Sequence, residues 1–149
     1  MAKWIKTSVR YEKQMNNGAY KKVTEQYIVD AYTFAEAEAR IIDNVTPFIS
    51  GDFDVSAVKK ADYAEIFRSD RGDRWYHVKS AFIVIDEKTA EEKRNVVNYL
   101  VQAPDFHNAL ENFIEGMKGT IADFEIVAIV ETPIVDVYDI NNKDDENQN

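Results

Sequence analysis

The sequence has no cysteine, only two histidines (His77 and His107), three prolines and five glycines. Without cysteine there are no disulfides, no thiol nucleophile, no cysteine-ligated zinc and no iron–sulfur centre. Glycines at 18, 51, 72, 116 and 119 are too scattered to build a phosphate-cradling loop or a dinucleotide fingerprint. Neither histidine stands in metalloprotease or deaminase spacing, so no cofactor is expected and the chain does not read as an enzyme. No apolar run approaches the roughly 18 residues of a membrane span. The opening Met1-Ala2-Lys3-Trp4 is not that of a signal peptide, so the expectation is a soluble, cytoplasmic protein that engages no membrane. Charge is unbalanced: 27 acids against 18 lysines and arginines leave a net −9. What is present is core-forming material. Among 149 residues, 45% are hydrophobic, with eight tyrosines, eight phenylalanines and two tryptophans, which excludes wholesale disorder and fits one domain.

The chain is written twice, at a spacing of 71 to 72 residues. Trp4 matches Trp75, and Lys21-Lys22 matches Lys93-Arg94. Tyr27-Ile28-Val29-Asp30-Ala31 matches Tyr99-Leu100-Val101-Gln102-Ala103. Phe34, Ala37, Ile42 and Val45 then match Phe106, Ala109, Ile114 and Met117. Phe53-Asp54-Val55 corresponds to Phe124-Glu125-Ile126, and Glu65-Ile66-Phe67 to Asp136-Val137-Tyr138. The order is kept through each half and needs only one small insertion. The repeats run from about 3 to 68 and from about 74 to 138, within one domain spanning 1–138.

Each half reads as strand, strand, helix, strand, strand. Ile5, Thr7, Val9 and Tyr11 alternate with Trp4, Lys6, Ser8 and Arg10, the period of a half-buried strand. Asn16-Asn17-Gly18 supplies the positive φ of a tight hairpin turn. On the return strand Val23, Tyr27, Val29 and Ala31 share one face, where Glu25 is the anomaly. Thr33 with Glu36 forms a capping box, opening a helix to about Ser50. Its apolar stripe is Phe34, Ala37, Ile41, Val45 and Phe48, and Pro47 should kink or end it. In the second half the hairpin turns near Glu87-Lys88-Thr89-Ala90, and Asp105 caps a helix to about Lys118. Ser69-Asp70-Arg71-Gly72-Asp73 joins the halves. Residues 139–149 carry four acids and one lysine and read as a disordered acidic tail. The pattern therefore predicts an α+β fold: a duplicated unit forming an antiparallel sheet, both helices on one face, with pseudo-two-fold symmetry.

Several motifs keep a common order and spacing: Val9-Arg10-Tyr11-Glu12-Lys13, Glu36-Ala37-Glu38-Ala39-Arg40, Asp73-Arg74-Trp75-Tyr76, Gly116-Met117-Lys118-Gly119 and Glu131-Thr132-Pro133-Ile134-Val135-Asp136-Val137. From about Trp4 to Tyr138 the chain resembles a domain-of-unknown-function family found in small proteins of gut anaerobic bacteria and their phages. The resemblance implies a small bacterial or phage-borne protein. It brings no activity, cofactor or catalytic residue with it.

Two functional classes follow from the residues, with a third further off. A small acidic duplicated domain without catalytic groups suits a protein-interaction or inhibitor module, and homo-oligomerisation fits the same class. The alternative is single-stranded nucleic-acid binding across one sheet face. Trp4, Lys6 and Arg10 in one half, Trp75, His77 and Lys79 in the other, and Lys22 and Arg94 on the return strands would place rings for base stacking among cations for phosphates. Against it stands the option that both tryptophans are packed away. The third is a metal-dependent enzyme using Glu65 and Asp136, acids at equivalent places in the two halves. Edge-strand charges that discourage aggregation would account for the same pair.

Overall fold

A computed structural model describes residues 3–139, and the acidic tail beyond Asp139 lies outside the described residues. Eight strands and two helices follow in chain order. They are β1 (Lys3–Gln14), β2 (Tyr20–Ala31), α1 (Phe34–Val45), β3 (Phe53–Lys60), β4 (Glu65–Phe67), β5 (Arg74–Ile85), β6 (Glu92–Ala103), α2 (Phe106–Gly116), β7 (Phe124–Glu131) and β8 (Ile134–Tyr138). The chain is α+β, with two four-stranded sheets in two compact units. One unit is residues 3–61 with 133–139; the other is Asp62–Thr132.

In the first unit the strand order is β3-β1-β2-β8. β1 and β2 form a twelve-residue-per-arm hairpin, turned by Gly18 at φ +86° with its N–H donated to Met15 O at 2.9 Å. β3 adds antiparallel to β1, whereas β8 adds parallel to β2. α1 packs on this sheet through Ala37, Ile41 and Val45, against Ile5, Val9, Tyr27 and Val29. Thr33 caps α1 by accepting the Glu36 N–H at 3.1 Å, and Glu36 returns a carboxylate oxygen to the Tyr32 N–H at 3.2 Å. The helix stops at Val45, and Pro47 lies in a 3₁₀ turn, Thr46–Phe48, so the α-helix is shorter than the apolar stripe predicts. Proline has no N–H for the helical ladder and its ring crowds the preceding turn.

The second unit has the order β4-β6-β5-β7. The β5–β6 hairpin closes with Ala90 at φ +57°, and β7 adds antiparallel to β5. Asp105 caps α2 by accepting the Asn108 N–H at 2.8 Å, which with the other Asn108 hydrogen bond lowers its carboxyl pKa. α2 buries Ala109 and Phe113, with Met117 just beyond its end.

The expected single antiparallel sheet is corrected here: there are two sheets, each mixed, and each carries its own helix. The cause is the short fourth strands. β4 follows β3 in sequence but pairs parallel with β6; β8 follows β7 but pairs parallel with β2. A tight hairpin can join only antiparallel neighbours, whereas a parallel partner must arrive by a long connection. Each short strand thus completes the sheet formed by the other half of the sequence.

Candidate functional site

Alternation along β1 and β5 decides which side chains face the helices. Ile5, Val9 and Tyr11 lie on the α1 side, so Trp4, Lys6, Ser8 and Arg10 face away from it. Val78 and Phe82 lie on the α2 side, so Trp75, His77, Lys79, Ala81, Ile83 and Ile85 face away. The eight predicted binding residues therefore sit on the outward face of one or other sheet.

In the first unit that face is polar towards the hairpin tip. Cross-strand neighbours are Arg10 with Thr24 and Asp54, and Glu12 with Lys22. Arg10 and Lys22 are exposed and share an open depression of about 550 Å³ with Tyr20, Asp52 and Asp54. Lys6 and Trp4 are half-buried nearer the other end of β1.

The second unit departs from the stacking arrangement. Trp75 is only 1% exposed, with the Arg68 guanidinium 5.9 Å from its ring centroid, so its ring is not a platform for a base. His77 is half-buried, its Nε2 2.8 Å from Asn98 Oδ1 and its ring set edge-on to Tyr63, whose own pKa burial raises. Lys79 is exposed. Arg94 is committed to Glu125 at 2.7 Å, reaching over the buried Ala81 that lies between their strands. Around this pair the face is apolar: Ile83 is half-buried, Val96 is 52% exposed and Ile85 is 64% exposed.

The carboxylate pair is not assembled within either unit. Glu65 is in the second unit, level with Tyr99, and Asp136 is in the first, level with Tyr27, where its Oδ1 accepts the Val137 N–H at 2.8 Å. Among the described residues no group of three or more histidine, aspartate or glutamate side chains is placed to hold a metal ion. No helix of the described residues is long and apolar enough to cross a membrane.

Residues 3–140 match the family described as domain of unknown function (DUF4494). The chain belongs to that family. No curated protein matches it. In this DUF4494 domain, the residues that sequence reasoning passed over are Ile83, Ile85 and Val96. The signal was available by setting the two halves against each other. Arg10, Glu12, Gln14 and Thr24 of the first half correspond to Ala81, Ile83, Ile85 and Val96 of the second. A charged and polar face on one hairpin stands opposite in character to an apolar one on the other, while the two hairpins have the same length.

Proposed function

We propose that this DUF4494 domain is a non-catalytic binding module that recognises a protein partner through the outward face of the β5–β6 hairpin. The observation that carries the reading is the apolar set of half-buried Ile83 with exposed Ile85 and Val96, where the other unit presents Glu12, Gln14 and Thr24. Hydration of apolar side chains is unfavourable, and a contiguous exposed apolar patch marks an interaction surface. The Arg94–Glu125 pair beside it would supply a polar rim. The single-stranded nucleic-acid alternative loses support from the burial of Trp75 and the pairing of Arg94, although Lys6, Arg10 and Lys22 remain on the first unit's outward face.

The test is differential recovery on a tagged full-length chain. A polypeptide that is retained by wild type and by Lys22→Glu, and lost with Ile85→Glu/Val96→Glu, supports the reading. If the double variant retains every polypeptide that wild type does, or if a fluorescent single-stranded oligonucleotide binds both chains at low salt, the reading is overturned. We also infer that the two halves arose by internal duplication within a bacterial or phage-borne cytoplasmic protein. What supports the duplication is equal hairpin lengths, a parallel fourth strand in each sheet, and register shifts at Ser8/Val9 and Lys79/Ser80, again 71 residues apart.

A further inference from the structure

A second place on the first unit has the chemistry of a ligand site. Where the first turn of α1 overhangs the start of β1 and the end of β3 lies a cavity of about 230 Å³, lined by Lys3, Ile5, Tyr32, Thr33, Phe34 and Lys60. Buried Ile5 forms its floor, and Tyr32 and Phe34, 63% and 56% exposed, stand as walls. Lys60 is the cross-strand partner of Ile5, and Lys3 precedes Ile5 by two residues on the same face, so two ammonium groups flank one apolar floor. Among the described residues neither lysine has a carboxylate within ion-pairing distance. Glu36, the acid of the first helical turn, is engaged by the Tyr32 N–H.

The corresponding corner of the second unit shows what a self-satisfied version looks like. Lys3, Ile5, Thr33, Phe34 and Lys60 are replaced there by Arg74, Tyr76, Asp105, Phe106 and Glu131. Glu131 lies 3.8 Å from Arg74, and Tyr76 and Glu131 together raise the pKa of that guanidinium. One cation faces two acids. The first unit instead sets two cations beside two rings, in a chain whose net charge is −9.

We propose that this cavity binds a small aromatic carboxylate, its ring against Ile5, Tyr32 and Phe34 and its carboxylate between Lys3 and Lys60. The volume is below the roughly 300–1,000 Å³ of pockets for drug-sized ligands, which limits the occupant to about one ring on a short acid chain. Paired cations supply charge-assisted hydrogen bonds to the carboxylate, and the apolar walls reject a bare inorganic anion by offering it nothing further. The site is on the other unit from the β5–β6 face and stands whether or not a protein partner is found.

The experiment titrates the full-length chain with 3-phenylpropionate and follows backbone amide shifts by NMR. A saturable response centred on Thr33 and Phe34 is expected. Lys3→Gln/Lys60→Gln should weaken binding at least about tenfold, the equivalent of about 1.4 kcal/mol, as should replacing the probe by neutral 3-phenylpropanamide. Both lysines are exposed, so these variants should keep the fold, which circular dichroism checks. Absence of a saturable shift overturns the proposal. So does equal binding of the amide, or inorganic phosphate binding as tightly as the acid.

Discussion

Helix and sheet are tied together at the same place in both units, but by different chemistry. In the first unit Arg40 of α1 reaches the backbone carbonyl and the carboxylate of Asp30 near the end of β2, and both side chains are nearly buried. In the second, Asn112 of α2 donates to the carbonyl of Gln102 at 3.0 Å. Gln102 is uncharged and uses its amide elsewhere, accepting the Ser69 N–H at 2.9 Å and donating to Gly72 O at 2.8 Å. The first unit thus spends a nearly buried charge pair on one junction, and among the described residues Arg40 Nε has no hydrogen-bond partner. The second makes the same junction from neutral groups and gains a clamp on the loop joining the halves. Geometry is preserved while the electrostatic cost differs, because an amide loses far less hydration on burial than a guanidinium or carboxylate.

The cores differ in the same spirit. Ile41 and Val45 of the first unit correspond to Phe113 and Met117 of the second. Phe113 is the hub of an aromatic group, with Tyr99 at 5.2 Å, Phe124 at 6.0 Å and Phe67 at 6.1 Å between ring centroids. In the first unit the matching layer is tyrosine. Tyr27 stacks on Tyr138 at 5.8 Å, and Glu25 accepts from Tyr11 at 2.8 Å and from Tyr27 at 3.3 Å. Burial and the adjacent Glu25 push the Tyr11 phenol up to about 12, and burial, followed by Glu25, raises Tyr27 as well. Where the first unit has Tyr11, the second has Phe82.

These differences can be broken one at a time. Phe113→Ala should be the most damaging, by about 3–5 kcal/mol in urea unfolding, because a large cavity opens among rings that cannot collapse into it. Arg40→Ala should cost nearly as much, about 3–5 kcal/mol, by removing one side of a nearly buried charge pair, whereas Asn112→Ala at the equivalent site should cost only about 1–2 kcal/mol. Similar losses for the two would refute the contrast between charged and neutral ties. Gly72→Ala should cost about 1–3 kcal/mol, since a Cβ there would stand 2.5 Å from the Ala103 backbone, which cannot yield like a side chain.

The alkaline limb of stability sharpens the tyrosine contrast. The native Tyr11 holds its proton more tightly than the unfolded chain, so its contribution is complete below pH 10 and falls away as pH rises from 10 towards 12. Tyr11→Phe, which imports the second unit's residue, should flatten that decline in urea midpoint, and an unchanged slope would count against the assignment. Smallest of all, Ala90→Gly should raise stability by about 0.5–1 kcal/mol by relieving the positive φ at the hairpin turn. The turn of the first unit already has Gly18 for that purpose.

Local chemistry made much of this molecule legible in its residues alone. The hairpin turn at Asn17-Gly18, the caps Thr33 and Asp105, the helix stop at Pro47 and the inward stripe Ala37-Ile41-Val45 all depend on spacings within a few residues. The α+β class follows from the same local patterns. Tertiary structure decided the rest. Three residues of β4 and five of β8 carry no period long enough to name a sheet, and their partners β6 and β2 are chosen by backbone hydrogen bonding far away in sequence. Alternation could place Trp4 and Trp75 on outward faces but not say that one would be half-buried and the other covered, since period two specifies a side of a strand and not what lies above it. Glu25 looked misplaced on an apolar face until two tyrosines, one of them on the neighbouring strand, supplied its hydrogen bonds. Spacing along the chain sets which face a residue occupies; only the assembled fold sets what that face meets.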